Sequence, residues 1–262
     1  EAVSTGFKLT NIINRVDIEV AGNHEVHRSF NAGNEIGFKL FKWESNRRVN
    51  PEIEEGTNRS LSVNIGYNVQ DRNFGFAGSR QVKIVAEMSR PVLGSDFDFS
   101  SIRMSVDWNF ETLYKRRLFA NTLDVHLSGG IVESSAPVQK LGAVDGSLSR
   151  FTPFSVLKTR LSLPYVGNKY GVIAVEHNFR TIPFEILGLN YFVENGWGII
   201  LFGGAGIAEL YDQSSLFMMD SDGIHTEAGI SLNSIFGILR LDFAKRLDSP
   251  GHFIGFSVPR YF

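Results

Sequence analysis

Leu61-Ser62-Val63-Asn64-Ile65-Gly66-Tyr67-Asn68-Val69 is the stretch whose reading decides the fold. Every odd position is apolar and every even one is small or polar. Side chains on an extended strand point alternately to opposite faces, so this segment has one apolar face and one polar face. The pattern returns in Ile102, Met104, Val106, Trp108 and Phe110 against Arg103, Ser105, Asp107 and Asn109. It returns again in Leu239, Leu241 and Phe243 against Arg240, Asp242, Ala244, Arg246 and Asp248. A sandwich hides its apolar faces between two sheets, whereas a membrane barrel turns them to lipid and keeps the polar set around its interior. Strands of about ten residues with charged polar faces favour the second. The expected fold is all-β: a transmembrane, antiparallel up-and-down β-barrel with 10–12 strands in this chain.

Working outward, candidate strands fall near residues 7–20, 34–43, 59–70, 80–90, 99–112, 117–131, 157–165, 168–180, 197–210, 223–233, 236–247 and 252–262. The connections 45–58, 71–80 and 212–223 are rich in Asn, Asp, Ser, Gly and Arg, as turns and exposed loops are. The irregular stretch from Glu133 to about Val156 is long for a hairpin, and loops of that length are usually functional or disordered. Phe184 to Phe192 reads as a short helix with Pro183 near its start. No linker, heptad or low-complexity tract interrupts the 262 residues, so residues 1–262 are expected to form a single barrel domain.

Composition fits this reading without deciding it. The hydrophobic share of 43% and mean hydropathy of −0.05 are ordinary for a soluble chain, but only alternate residues of a spanning strand meet lipid, so whole-chain hydropathy averages the signal away. No run approaches the roughly 18 apolar residues of a spanning helix. A net charge of −2, with both signs interspersed, provides no footprint for nucleic acid. The absence of cysteine excludes disulfides and thiolate metal sites and fits a periplasm-facing chain. Glu1 starts no signal peptide, as expected of a mature or trimmed exported chain.

The last third carries the sharpest motifs. Gly229-Ile230-Ser231-Leu232, Leu239-Arg240-Leu241-Asp242-Phe243-Ala244 and Phe253 to Phe262 form three consecutive hairpin-linked strands. Together they resemble the closing strands of the bacterial surface-antigen superfamily, the outer-membrane barrels of the BAM and TAM assembly machines and of two-partner secretion. Val175-Glu176-His177-Asn178-Phe179-Arg180 is similar to the family strand that carries Glu and Arg. Gly94-Ser95-Asp96-Phe97-Asp98-Phe99 resembles its mid-barrel region. The resemblance covers residues 80 to 262. Two departures stand out: Leu157-Lys158-Thr159-Arg160-Leu161 lacks the glycine and aromatic of the Arg-Gly-aromatic motif on the family's inward-folded loop, and family barrels have sixteen strands. The segment 154–179 is closer to a branch in which the barrel follows a carboxypeptidase-regulatory-like domain.

The polar faces supply the candidate site. Glu176, Asn178 and Arg180 share one face of their strand, His225 and Glu227 another, and Arg240, Asp242 and Arg246 a third. Opposite charges across neighbouring strands can pair and fill the interior; the plainer reading is that such pairs stabilise the lumen and touch no substrate. Trp108, Phe110, Tyr170 and Phe256 are read as outward aromatics. His126-Leu127-Ser128 is similar to the His-x-Ser arrangement of outer-membrane phospholipase A, but the phase turns the pair inward, and so short a motif recurs by chance. There is no Gly-x-Ser-x-Gly elbow. His24 and His27 do not converge on a metal, Asp220-Ser221-Asp222-Gly223 lacks the distal acid of a calcium loop, and Gly203-Gly204-Ala205-Gly206 lies in a strand and precedes no helix. No catalytic residue, metal or cofactor is assigned.

What the resemblance implies is a non-enzymatic barrel of the bacterial outer membrane, with a role in outer-membrane protein insertion or secretion. A weak seam between its first and last strands and a charged lumen would help client strands enter the membrane. Its expected partners are outer-membrane lipid, client outer-membrane proteins and other assembly-machine subunits. Alternatives are a passive small-solute channel, a phospholipase-like barrel, and a soluble β-sandwich binding module. Phe256, Val258 and Phe262 would form the terminal-strand assembly signal. Deleting Phe262 should reduce the fraction of chain recovered in the outer membrane; undiminished insertion of the truncated chain would refute that assignment.

Overall fold

The computed structural model describes residues 2–10, 15–28, 53–73, 76–113, 121–133, 135–144, 146–147, 156–161, 165–211, 220–233 and 239–257. Its strands are β1 (Ala2–Leu9), β2 (Val16–His27), β3 (Gly56–Asn73), β4 (Phe76–Ser89), β5 (Phe99–Thr112), β6 (Asn121–Val132), β7 (Gly142–Val144), β8 (Gly146–Ser147), β9 (Leu157–Leu161), β10 (Tyr165–Gly167), β11 (Lys169–Arg180), β12 (Gly198–Glu209), β13 (His225–Asn233), β14 (Arg240–Arg246) and β15 (His252–Ser257). Eleven of them form one sheet, ordered β1-β2-β3-β4-β5-β6-β11-β12-β13-β14-β15. Each neighbouring pair is antiparallel, as in Val63↔Ala86 or Ser231↔Asp242.

The two faces of this sheet are inverted relative to a soluble core. On β13, His225, Glu227, Ser231 and Asn233 are buried, while Ala228 and Ile230 between them are exposed. On β14, Asp242 is fully buried and Phe243 is 40% exposed. Leu61, Val63 and Ile65 are likewise exposed on β3, where Ser60 and Ser62 are buried. Register is strongly specified here, because a slip of one residue would exchange the two sets on every strand.

Successive antiparallel pairing has a consequence for the edges: with eleven strands in a meander, β1 and β15 run in the same direction. Among the described residues no pairing joins them. The connections after β2, β4, β6, β12 and β14 lie at one rim of the sheet, and those after β1, β3, β5, β11 and β13 at the other. The stretches of sequence between successive strands of the sheet are longest after β2 and β6, at residues 28–55 and 133–168. Outer-membrane barrels put their longer loops outside and their short turns on the periplasmic side.

Several expectations are corrected. The strand expected over 7–20 is a hairpin, broken at Arg15, whose φ is 77°. The strand expected over 157–165 is not a member of the large sheet: β9 pairs in parallel with β8, and β10 pairs with β7. The helix expected over 184–192 is two short helices, α1 (Ile182–Ile186) and α2 (Asn190–Glu194), divided at Gly188 with φ 67°. Pro183 does sit in the first turn. The expected strand 34–43, the starts of two others at 117–120 and 236–238, and the end of the last at 258–262 lie outside the described residues. So do Val258 and Phe262.

The span between β6 and β11 folds back against the polar face of the sheet. Val144, Leu157 and Tyr165 cluster with Val172 of β11 and Ala208 of β12. Tyr170 packs against the same cluster, so its expected outward placement is wrong: it shares the parity of buried Val172, Ala174 and Glu176. The glycines of β12 explain how the span fits. A Cβ on Gly206 would stand 2.9 Å from Val144 Cγ1 and 3.1 Å from Leu157 Cδ1, and one on Gly204 3.5 Å from Leu157 Cδ2. The glycine run is therefore a flat bed for the inserted span, as close backbone approach in a strand requires. Gly206→Val should lift β7 and β9 at a cost of about 1–3 kcal/mol, read as new tryptic cleavage at Lys158 or Arg160 in refolded protein whose strand content is unchanged.

Candidate functional site

The site grows from the face rule. Alternation turns Glu176 of β11, Glu227 of β13, and Arg240 and Asp242 of β14 to the same side of the sheet, and register sets Ser231 directly opposite Asp242. Asp242 is the hub. Its Oδ1 accepts from Ser231 Oγ at 2.5 Å and from Arg240 Nε at 2.5 Å, and its Oδ2 accepts from Lys158 Nζ at 2.6 Å. Arg240 Nη1 donates onward to Glu176 Oε2 at 2.8 Å. Phe202 of β12 lies beneath both cations, with Lys158 Nζ 4.8 Å and the Arg240 guanidinium carbon 5.5 Å from its ring centre. The ring in turn covers Gly229, where a Cβ would collide with it. That collision gives a local reason for the glycine of β13.

Glu227 holds the inserted span by its backbone. Its carboxylate accepts from the amides of Lys158 (2.7 Å) and Thr159 (2.8 Å) and from Thr159 Oγ1 (2.6 Å). His225 Nε2 is 2.9 Å from Thr159 Oγ1 and its Nδ1 3.0 Å from the Tyr165 hydroxyl. A consistent proton assignment has Tyr165 donating to Nδ1 and Nε2–H donating to Thr159. Arg160 lies over the Tyr165 ring at 4.3 Å. A carboxylate taking two amide hydrogens and a hydroxyl is fully engaged, so Glu227 acts here as a clamp.

A second clamp grips the other flank. Lys140, at the end of a single 3-10 turn (Val138–Lys140), places Nζ 2.7 Å from Glu25 Oε2 on β2 and 3.1 Å from Glu87 Oε1 on β4. Glu87 also accepts from Ser60 (2.7 Å) and Asn58 (3.3 Å) of β3. Arg103 of β5 donates to the Lys140 carbonyl at 2.6 Å. The span that leaves between β6 and β11 thus reaches strands on both flanks, which requires the sheet to curve around it.

Of the residues singled out by sequence, Glu176, Glu227, Arg240 and Asp242 come together. Arg180 lies past a register shift at Asn178, with φ 52°, and so leaves the face alternation that would have aligned it with Glu176. Arg246 donates from Nε and Nη2 to Asp248 at 2.6–3.1 Å in the rim turn that follows β14. These hydrogen bonds hold the Asp248 carboxyl well below the usual carboxylate range. The pair is therefore intact at and above that range and is lost only as pH falls through the lowered value. Phe256 is 49% exposed on the apolar face. His126 binds Asp107 of β5, with Nδ1 2.9 Å from Oδ1, and among the described residues no hydrogen bond joins it to Ser128. No cluster of metal-ligating side chains occurs among the described residues.

Sequence reasoning missed Lys140, Glu25, Glu87, Thr159 and Tyr165. Lys140 carried a signal only in hindsight: it is a lone cation in a stretch with no period, facing acids far away in sequence.

No protein-family model matches the chain, and no curated protein does. Among solved structures the chain is similar to BamA from Haemophilus ducreyi lacking POTRA domains 1–3, at 15% identity and a TM-score of 0.57. The match covers 97% of this chain and 52% of that one, so the chain spans about half the length of its structural relative. The likeness establishes a BamA-type barrel fold.

Removing the hub should cost more than removing one spoke. Asp242→Ala strands Lys158 and leaves Arg240 with Glu176 alone, and should lower stability by about 3–5 kcal/mol. Lys158→Met leaves Asp242 with Arg240 and should cost clearly less, the comparison being urea midpoints of refolded protein in detergent.

Proposed function

We propose that this chain is a membrane-embedded barrel of the bacterial outer membrane, of the protein-assembly and translocation type, and that its work is positional, with no catalytic step. The observation that carries the reading is the inserted span gripped by two ionic clamps inside an apolar-out sheet. A sheet face of Leu, Ile, Phe and Met side chains exposed by 38% or more is costly in water and favourable against hydrocarbon. The ionic face opposite it needs the polar interior that a barrel supplies. Outer-membrane lipid is then the primary partner, and client outer-membrane proteins or other subunits of an assembly machine are the protein partners. Glu176, Glu227, Arg240 and Asp242 serve this role by fixing the span on the lumen wall, while Phe256, Val258 and Phe262 would provide the terminal-strand signal.

A passive channel is the rival reading. Its interior would have to be open, whereas Lys158 and Lys140 hold the span across the polar face. In preformed vesicles the wild-type chain should float with lipid and raise the folding rate of an unfolded client barrel several-fold over empty vesicles. Client folding at the empty-vesicle rate, together with steady single-channel conductance by the wild type, would sink the assembly reading in favour of the pore. Asp242→Ala should be the variant that begins to conduct, since it releases the inserted span.

A further inference from the structure

The outward face of β5, β6, β11 and β12 is not uniformly covered. A groove of about 740 Å³ runs along it, floored by Gly129, Gly171 and Ala205 and walled by Ile131, Ile173 and Ile207. Alternation turns these residues away from the clamps, so the groove lies on the apolar side. Its mouth is different in kind. Lys169 and Glu209 are direct cross-strand partners there, both exposed, and both contribute to the lining. Among the described residues no ion pair joins them. Lys169 Nζ instead lies 4.9 Å from the ring centre of exposed Tyr211. A tyrosine and a lysine at the end of an apolar band mark the level where hydrocarbon gives way to headgroups.

From this juxtaposition we infer that the groove is a binding site for one zwitterionic glycerophospholipid. An acyl chain lies along the glycine floor, the phosphate meets Lys169, and the headgroup ammonium meets Glu209. The inference rests on the membrane reading above. A peptide is a poor occupant: strand addition needs an unpaired edge, and all four strands are paired on both sides. Away from the mouth the lining is also almost wholly apolar, because alternation turns the side chains of Arg103 and Ser128 to the other face. The size is that of an ordinary small-ligand site. A headgroup with phosphate alone would meet the Glu209 carboxylate as a like charge; one that also carries an ammonium satisfies both side chains.

Gly171 makes the site testable, because a Cβ there would find only the Ser128 carbonyl oxygen, at 4.0 Å. Leucine at this position therefore enters the groove with that oxygen at ordinary contact distance. The full chain is refolded in detergent, incubated with phosphatidylethanolamine or phosphatidylglycerol, delipidated stepwise and read by native mass spectrometry. Wild type should retain one phosphatidylethanolamine, in preference to phosphatidylglycerol. Gly171→Leu should lower that retention about tenfold, equivalent to about 1.4 kcal/mol. Glu209→Gln should erase the headgroup preference while keeping affinity for the phosphate-only lipid, and Lys169→Gln should weaken both lipids. Equal retention by wild type and Gly171→Leu, or equal retention of the two lipids by wild type, overturns the site. Vesicle flotation separates the premises: protein that floats but retains no lipid overturns the groove alone, whereas protein that does not float overturns the membrane reading and the groove with it.

Discussion

The constraint on which the structure depends is that buried charge must be paired. This sheet puts Glu176, Glu227, Arg240 and Asp242 on its buried side, where an unmatched ion costs several kcal/mol. The sheet itself supplies part of the match, since Arg240 pairs with Asp242 two residues along β14 and with Glu176 of β11. The rest comes from a segment that leaves the sheet and returns. Lys158 closes the β14 account from across the interior, and Lys140 does the same for the acids of β2 and β4. The inserted span is thus not an ornament on a finished barrel: the ionic face is satisfied only with the span in place.

The same constraint explains the small residues. A span can lie on a strand only where side chains are absent, and β12 offers Gly204 and Gly206 beneath Leu157 and Val144. Gly229 performs a related service for Phe202, whose ring then carries Lys158 and Arg240 on its face. Apolar, aromatic and ionic contacts are therefore arranged in register around one stretch of β11 to β14. On the opposite face Gly129, Gly171 and Ala205 leave a furrow instead of a bed. Small residues on an inner face receive protein; those on an outer face receive whatever solvent the sheet lives in.

The edges pose a separate problem. β1 and β15 point the same way because they are the first and last of eleven alternating strands, and antiparallel closure of such a sheet on itself requires an odd number of further strands. Parallel pairing of the two edges is the other geometric solution, and unequal strand parity has that precedent among membrane barrels. Either solution makes the seam unlike every other junction in the sheet. This chain covers about half of its BamA relative, and the two sheets share a fold over nearly all of the described strands.

Period-two alternation was sufficient to determine the class of fold and the inverted sense of its faces. It also identified Glu176, Glu227, Arg240 and Asp242 as a shared polar surface, because a strand has only two faces and the charge on one of them decides which is which. It failed where the chain leaves that period. Arg180 follows a register shift, Tyr170 was read with the wrong parity, and Leu157–Leu161 looked like one more wall strand because alternation does not say which sheet a strand joins. Lys140 and Lys158 find their acids only after the span is laid across the sheet, at separations in sequence of 53 and 84 residues. Local sequence fixes the direction of a side chain, whereas long-range contacts are set by how strands are ordered and how a loop is packed, and only the tertiary structure decides those.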